Sequence, residues 1–369
     1  MKIRISRQDL LDAVNKVKTV VSPKSALPIL SHILMEAKDS TVKLTATDLK
    51  VSIECNADCT VDEEGSLTVS SQRLSSILSE LPECEVTLDL SGNNVINIEA
   101  AGKIHTKLFS MSAEEFPPVR SCEGIEPILL GQRLLKRMFQ KTSFAICTDQ
   151  ARYNLTGLLC ELVDGKLTTV ATDGRRMSLF SEREGIPKDL NIKVIIPGKM
   201  INELERLLGE EGEVQVYLDE TQAAFQFGSV RLVTALIEGN FPNYDMVIPK
   251  KHDKEAVIET AAFLEAVRRT RTMTNDKFNS VRFTVNGSSL KLHVVTPEVG
   301  EYEEEMQVEF EGGSIDVAFN PDFILEVIRR IETEKLCFIL KDGSSPGLIK
   351  PYEGKSSHQY MNVIMPIRI

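Results

Sequence analysis

Apolar residues recur at helical spacing in three stretches of this chain. In the clearest of them Leu130, Leu134, Leu135, Met138 and Phe139 form one stripe, which marks a helix with a single buried face. The pattern predicts helices over about 5–21, 130–146 and 260–276. A second helix follows in mid-stretch each time, over 70–82 ("SSQRLSSILSELP"), 196–208 ("IPGKMINELERLL") and 319–332 ("FNPDFILEVIRRIE"). A Ser, Pro or Asn stands at each start, where a capping side chain or a fixed φ favours a helix N-terminus. Between the helices polar and apolar residues alternate, as in "EVTLDLSGNNVINIEA", "EVQVYLDETQAAFQFG" and "VRFTVNGSSLKLHVV". That period of two, broken by Ser-Gly-Asn-Asn and Asn-Gly turns, predicts antiparallel strands and hairpins.

The pattern is periodic on a larger scale as well. Phe116-Pro117 and Phe241-Pro242 stand 125 residues apart, as do Thr47-Asp48 and Thr172-Asp173. A weaker third copy, Thr296-Pro297, follows 124 residues later. One offset shared by unrelated residue types means tandem structural units. The expected fold is therefore α+β: three tandem domains, each with two helices packed on antiparallel sheet. Boundaries are expected in the turn-rich or charged stretches near 120–127 and 247–255, giving domains 1–122, 123–250 and 251–369.

Composition narrows the class. The 369 residues are 42% hydrophobic, enough for three small cores. There is no run of ~18 apolar residues and no signal-peptide apolar region after "MKIRISRQDLL", so a cytoplasmic protein is expected. Seven cysteines without a C-x-x-C pair predict free, mostly buried thiols. A net charge of −11 argues against nucleic acid until its distribution is considered. The three opening helices carry ten lysines and arginines against four acids, a net +6, which leaves −17 for the remainder. Arg133, Arg137 and Lys141 follow at i, i+4 and i+8, with Arg268 and Arg271 on the third helix. A basic stripe without interleaved aromatics suits contact with a phosphate backbone rather than base stacking.

Catalytic patterns are scarce. The five histidines show no zinc spacing, and there is no phosphate-binding glycine loop or nucleophile elbow. Asp48 and Asp173 could serve a metal-dependent nuclease or hydrolase. The alternative is a strand-end turn in which Thr and Asp side chains bind backbone. No metal and no cofactor is expected. A peptide-binding scaffold without a DNA role also stays open.

Several segments together carry a more specific likeness: "ALPILSHILMEA" (26–37), "TATDL" (45–49), "TVATDGRRMSL" (169–179), "GNFPNYDMVIP" (239–249) and "YMNVIMPIRI" (360–369). Over its whole length the chain resembles the bacterial β sliding clamp family, the processivity factors of replicative DNA polymerase. The resemblance implies a non-catalytic protein that encircles duplex DNA as a head-to-tail homodimeric ring of six domains, of which this chain supplies half. Twelve helices spaced ~9–10 Å would line a hole of about 25 Å, wide enough for a duplex. The implied partners are the replicative polymerase, clamp-loader subunits and other replication and repair proteins that carry a clamp-binding peptide.

The resemblance also assigns residues. A peptide pocket is implied at Leu155, Thr172, Gly174, Arg175, Arg176, Met177, Pro242, Met246, Val247, Val363, Met365, Pro366, Ile367 and Arg368. Such a pocket would be an apolar slot with flexible Met walls and a cationic rim. Arg175 and Met246 depart from the residues common in related clamps. DNA contacts are implied at Lys24, Gln150, Arg152, Tyr153 and Lys199, with Asn154 replacing a frequent Tyr. Ring closure would pair the strand 102–109 with an edge of the partner copy's third domain. Lys103, His105 and Lys107 would then face Glu298, Glu301, Glu303, Glu304 and Glu305, with Leu108 and Met273 as apolar contacts.

Overall fold

The computed structural model describes residues 1–21, 27–91, 94–122, 124–183, 185–249, 254–352 and 358–368. Lys24 and part of the Ser-Gly-Asn-Asn turn lie outside them. Six α-helices occur where the periodicity placed them: α1 (Arg7–Val17), α2 (Ser71–Glu80), α3 (Gln132–Thr142), α4 (Gly198–Leu207), α5 (Thr260–Arg271) and α6 (Pro321–Ile328). All are shorter than expected, chiefly because the residues just ahead of most of them, such as Ile5, Leu130, Ile196 and Phe319, belong to β-strands that lead directly into the helix. Caps explain several starts. Ser6 accepts from the Asp9 N–H (3.0 Å) while its hydroxyl donates to the Asp9 carboxylate (2.6 Å). Asn320 accepts from the Asp322 N–H (2.8 Å) ahead of Pro321 at the first helical position.

The described chain folds into two compact units, Met1–Lys136 with Lys199–Leu236, and Arg137–Gly198 with Ile237–Ile369. Every pairing in both is antiparallel. The first unit holds a five-stranded and an eight-stranded sheet. In the larger, the hairpin strands Gln222–Phe227 and Val230–Ala235 continue onto Val51–Asp58, so residues from the first and second thirds of the chain share one ladder. The second unit holds a nine-stranded and a four-stranded sheet. There Arg176–Glu182 pairs with Gln359–Ile364, joining the second and third thirds in the same way. Sheets that run through the repeats leave fewer open edges than three separate domains would.

The repeat is legible in the backbone. Leu49, Gly174 and Glu298 all adopt positive φ (76°, 82° and 66°) at the offsets found in the sequence. Asn286-Gly287 makes its expected hairpin turn, with Gly287 at φ 58°. Each unit buries α-helices on sheet. Phe263 of α5 interlocks with the strand residues Phe283, Phe319 and Phe338, with ring centroids 5.5–6.2 Å apart across the cluster. All seven cysteines are free thiols, five of them buried. Among the described residues no helix is long and apolar enough to cross a membrane.

Candidate functional site

The two Thr-Asp corners are built alike. Thr47 Oγ1 donates to the Val51 carbonyl (3.1 Å), and Asp48 Oδ1 accepts from the N–H groups of Lys50 and Val51 (2.9 and 2.7 Å). Thr172 Oγ1 donates to the Arg176 carbonyl (2.7 Å), and Asp173 Oδ1 accepts from Arg175 and Arg176 N–H (2.8 and 3.0 Å). Both carboxylates therefore hold a strand-end turn. Burial would raise the Asp48 pKa, but Lys199 and the turn amides outweigh it and hold the group below the ordinary carboxylate range. No group of three potential metal ligands occurs among the described residues. The hydrolase alternative has lost its carboxylates to structure.

The second corner forms one wall of an apolar cleft in the second unit. Across the strand pair Met177 stands opposite Val363, and both are buried in a cluster with Leu155, Val170, Phe241 and Met361. After Phe241 and Pro242 a short 3-10 turn, Tyr244–Met246, is capped by Asn243. Tyr244 then donates to Glu161 at 2.5 Å, which ties the loop to the strand Gly157–Val163. Burial, then that carboxylate, push the Tyr244 phenol well up, so it stays a donor. The result is a cavity of about 150 Å³ lined by Leu155, Thr172, Gly174, Arg176, Met177, Pro242, Val247, Val363 and Met365. Asn243 and Tyr244 line it as well and were missed by sequence reasoning. The adjacency of "FPNY" to Pro242 was the available signal.

Five of the expected pocket residues behave differently. Arg176 does not form a cationic rim. Its guanidinium is committed to Asp173 (3.1 Å), Glu326 and the Phe144 carbonyl (2.8 Å), and it stacks on Phe323 at 4.5 Å. Met246 is 80% exposed and does not line the cleft. Arg175, Ile367 and Arg368 line a neighbouring cavity instead. The C-terminal segment that divides the two is pinned by Met365 N–H to the Arg175 carbonyl and Ile367 N–H to the Ala318 carbonyl, both 2.8 Å.

The basic helices are less free than their sequence suggested. Lys141 is buried, with its Nζ bound to Glu332 (2.7 Å) and to the Arg330 carbonyl, so it cannot reach a phosphate. Burial lowers its pKa despite Glu332. Arg137 shares Glu332 (3.5 Å), Arg268 pairs with Glu265 (2.6 Å) and Arg271 with Asp322 (2.6 Å). Arg133 is exposed. Lys199 is held by Asp48 (2.6 Å) and the Val20 carbonyl (3.0 Å). Gln150, Arg152 and Tyr153 share the 3-10 turn Gln150–Leu155, where Arg152 donates to the Asp173 carbonyl at 2.5 Å. Asn154 donates to the Asn240 carbonyl (2.9 Å), a buttress rather than a contact surface.

Both expected interface strands lie at sheet edges. Ile104–Phe109 closes the five-stranded sheet and Gly300–Gln307 the four-stranded one. His105, Lys107 and Phe109 share one face of the first strand, where Phe109 is 84% exposed. Ile104, Thr106 and Leu108 share the other, with Leu108 half-buried. On the second strand Glu301, Glu303 and Glu305 point one way. Glu304 points the other and is clamped by Arg269 at 2.5 and 3.0 Å, so it does not belong with the acids expected to meet a basic strand. Met273 lies against Gly300 at the start of that strand, and Glu298 holds the left-handed corner before it. Lys103 is exposed in the turn before the basic strand.

Comparison with known proteins decides the family. Models of the DNA polymerase III beta subunit match the N-terminal domain over residues 1–120, the central domain over 129–243 and the C-terminal domain over 245–368. The chain belongs to the DNA polymerase III beta-subunit family. The beta sliding clamp of Pseudomonas aeruginosa is 34% identical over 371 aligned positions, with both chains covered completely. That of Chlamydia muridarum is 31% identical over 369, covering 100% of this chain and 99% of its own. Among solved structures, the DnaN sliding clamp of Pseudomonas aeruginosa bound to griselimycin superposes with a TM-score of 0.94 at 32% identity, each chain covered fully. The Bacillus subtilis clamp superposes at 0.95 with 27% identity, covering 100% of this chain and 99% of its own. The chain is thus built of three clamp domains, and its role is that of a sliding clamp, a non-catalytic processivity subunit that acts with DNA and polymerase.

Proposed function

We propose that two copies of this chain close head to tail into a cytoplasmic ring around duplex DNA, with domains 1–122, 123–250 and 251–369 repeated twice. The apolar cleft anchors a short peptide of the replicative polymerase, and in turn of clamp-loader, replication and repair proteins. The observation that carries this reading is the pre-formed cleft itself. It is apolar on its floor, edged by Met365 and the exposed Val247, and framed by a capped loop and a stacked arginine. The sheet edges support closure: one is basic with an exposed Phe109, and the other carries Glu301, Glu303 and Glu305 on one face, although Glu303 also meets Lys291 (2.6 Å) and Glu301 meets His293 (2.8 Å). Arg133, Arg137, Gln150, Arg152, Tyr153, Lys199, Arg268 and Arg271 are proposed to touch phosphate transiently. Lys141 is withdrawn from that set.

The test is topological. Protein loaded on a nicked circle should stay bound in high salt until the circle is linearised, then slide off the ends. Retention on linear DNA, or release from the intact circle by salt alone, would overturn the ring.

A further inference from the structure

The loop 241–245 has a second side. Behind it lies a separate cavity of about 570 Å³, wholly within the second unit. Its floor is set by strand register. Glu161 stands opposite Thr168 on one side and Lys193 on the other, and two positions further out Val163 stands opposite Lys166. Arg183 comes directly after the Leu167–Glu182 pair, which sets it opposite Lys166. Phe241, Asn243, Tyr244 and Asp245 supply the wall. Lys193 is already committed, 2.7 Å from the Glu161 carboxylate that also holds Tyr244. Lys166 and Arg183 are not. Neither has an ion-pair partner among the described residues, and the Arg183 guanidinium donates to the Asp164 carbonyl at 3.3 Å. Like charges directly opposite each other on a ladder repel, and an anion bridging them turns the repulsion into attraction. Asp164 and Asp245 also line the cavity, both exposed and without an ion-pair partner among the described residues. Val163, 36% exposed, and the half-buried Tyr244 give it an apolar side.

We propose that this cavity binds a nucleoside diphosphate, its phosphates between Lys166 and Arg183 and its base against Val163 and the Tyr244 ring. The lining selects the class. Two facing cations match a group that presents several anionic oxygens close together, and the guanidinium fork suits phosphate. Asp164 and Asp245 oppose a bare anion, an acidic peptide or a continuous phosphate backbone. They accept readily from ribose hydroxyls and a base amino group. The volume falls within the roughly 300–1,000 Å³ of small-molecule sites. Asn243 and Tyr244 line both this cavity and the peptide cleft, so an occupant here gives the shared loop a second tie. A loop already fixed costs a peptide less to bind. Nucleotide and peptide therefore bind cooperatively, each tightening the other by the same factor. That coupling rests on the reading of the cleft as a peptide site; the nucleotide site does not.

Isothermal titration calorimetry on the full chain tests the site with ADP, GDP, pyrophosphate and adenosine. At least one of the two nucleotides is expected to saturate, with pyrophosphate roughly tenfold weaker for want of the apolar contact and adenosine not saturating. The double variant Lys166→Gln, Arg183→Gln should weaken that nucleotide at least about tenfold, the yield of two charge-assisted contacts, with thermal melting unchanged. Lys166→Arg, which keeps the charge, should retain most of the affinity. The saturating nucleotide should also tighten a fluorescein-labelled Leu-Phe anchor peptide about threefold by anisotropy, and fail to do so in the double variant. No saturation by either nucleotide, or binding that survives the double variant, overturns the site. Pyrophosphate that binds as tightly as the nucleotide overturns the nucleoside assignment in favour of inorganic diphosphate. A short DNA duplex that displaces the nucleotide and is itself weakened in the double variant reassigns the cavity to nucleic acid. A nucleotide that binds without changing the affinity of a bound anchor overturns the coupling alone. An anchor that does not bind at all overturns the cleft reading and the coupling with it, while the titrations still decide the nucleotide site.

Discussion

Replacing Arg176 by Met separates two roles that a cation beside the cleft can play. The Arg176 side chain is only 11% exposed, against 18% for Asp173 and 36% for Glu326. Removing one member of a buried ion pair costs about 3–5 kcal/mol, because the partner charge stays behind uncompensated. The partial exposure of both carboxylates reduces this to about 2–3 kcal/mol. Loss of stacking on Phe323 and Phe144 adds about 1 kcal/mol, while the Met stem keeps the aliphatic packing. The expected loss is near 3 kcal/mol, a fall of about 1 M in the urea midpoint for a slope near 3 kcal/mol/M. Far-UV circular dichroism reads it, since the chain lacks Trp. Arg175→Met, on an exposed side chain, should stay within about 0.5 kcal/mol. Peptide binding should weaken in the Arg176 variant together with stability, because the corner that walls the cleft loses its tie. An Arg176→Met protein that unfolds at the parental urea concentration yet no longer binds peptide would refute this, and would make Arg176 a direct contact.

Two further outcomes are expected. Lys141→Met should leave DNA affinity unchanged, whereas Arg152→Ala and Lys199→Ala should each weaken it a few-fold and lower the salt slope by about one; equal losses in all three would restore Lys141 to the contact set. Asp48 has a depressed folded-state pKa, so its contribution to stability is present above the ordinary carboxylate range and is lost as pH falls through the depressed value. Asp48→Asn should therefore cost about 1 kcal/mol at pH 7 and progressively less as pH falls through the depressed value, measured by urea unfolding; a cost that does not diminish in acid would mean that the Lys199 tie and the turn do not depend on the charge.

The local periodicities were legible because they depend on near neighbours. The stripe through Leu134, Leu135, Met138 and Phe139 forms a helix, with Leu130 taken into the strand just before it, and Ser6 and Asn320 cap helices through groups two or three residues away. The Thr-Asp corners were legible for the same reason, as was the threefold repeat that places Leu49, Gly174 and Glu298 in one conformation. Family likeness located the cleft, yet it could not say which of its side chains were free.

That was decided by residues far away in sequence. Glu332 takes Lys141 from 191 positions along the chain, Glu326 takes Arg176 from 150, and Arg269 takes Glu304 from 35. A charge counted along the chain is therefore not a charge available at the surface: burial makes an unpaired ion costly, and the fold neutralises it wherever a carboxylate comes within reach. The sequence by itself determined the elements, the repeat and the family. Only the tertiary structure decided which basic residues remain to meet a partner, because ion pairing acts through space and has no period in sequence.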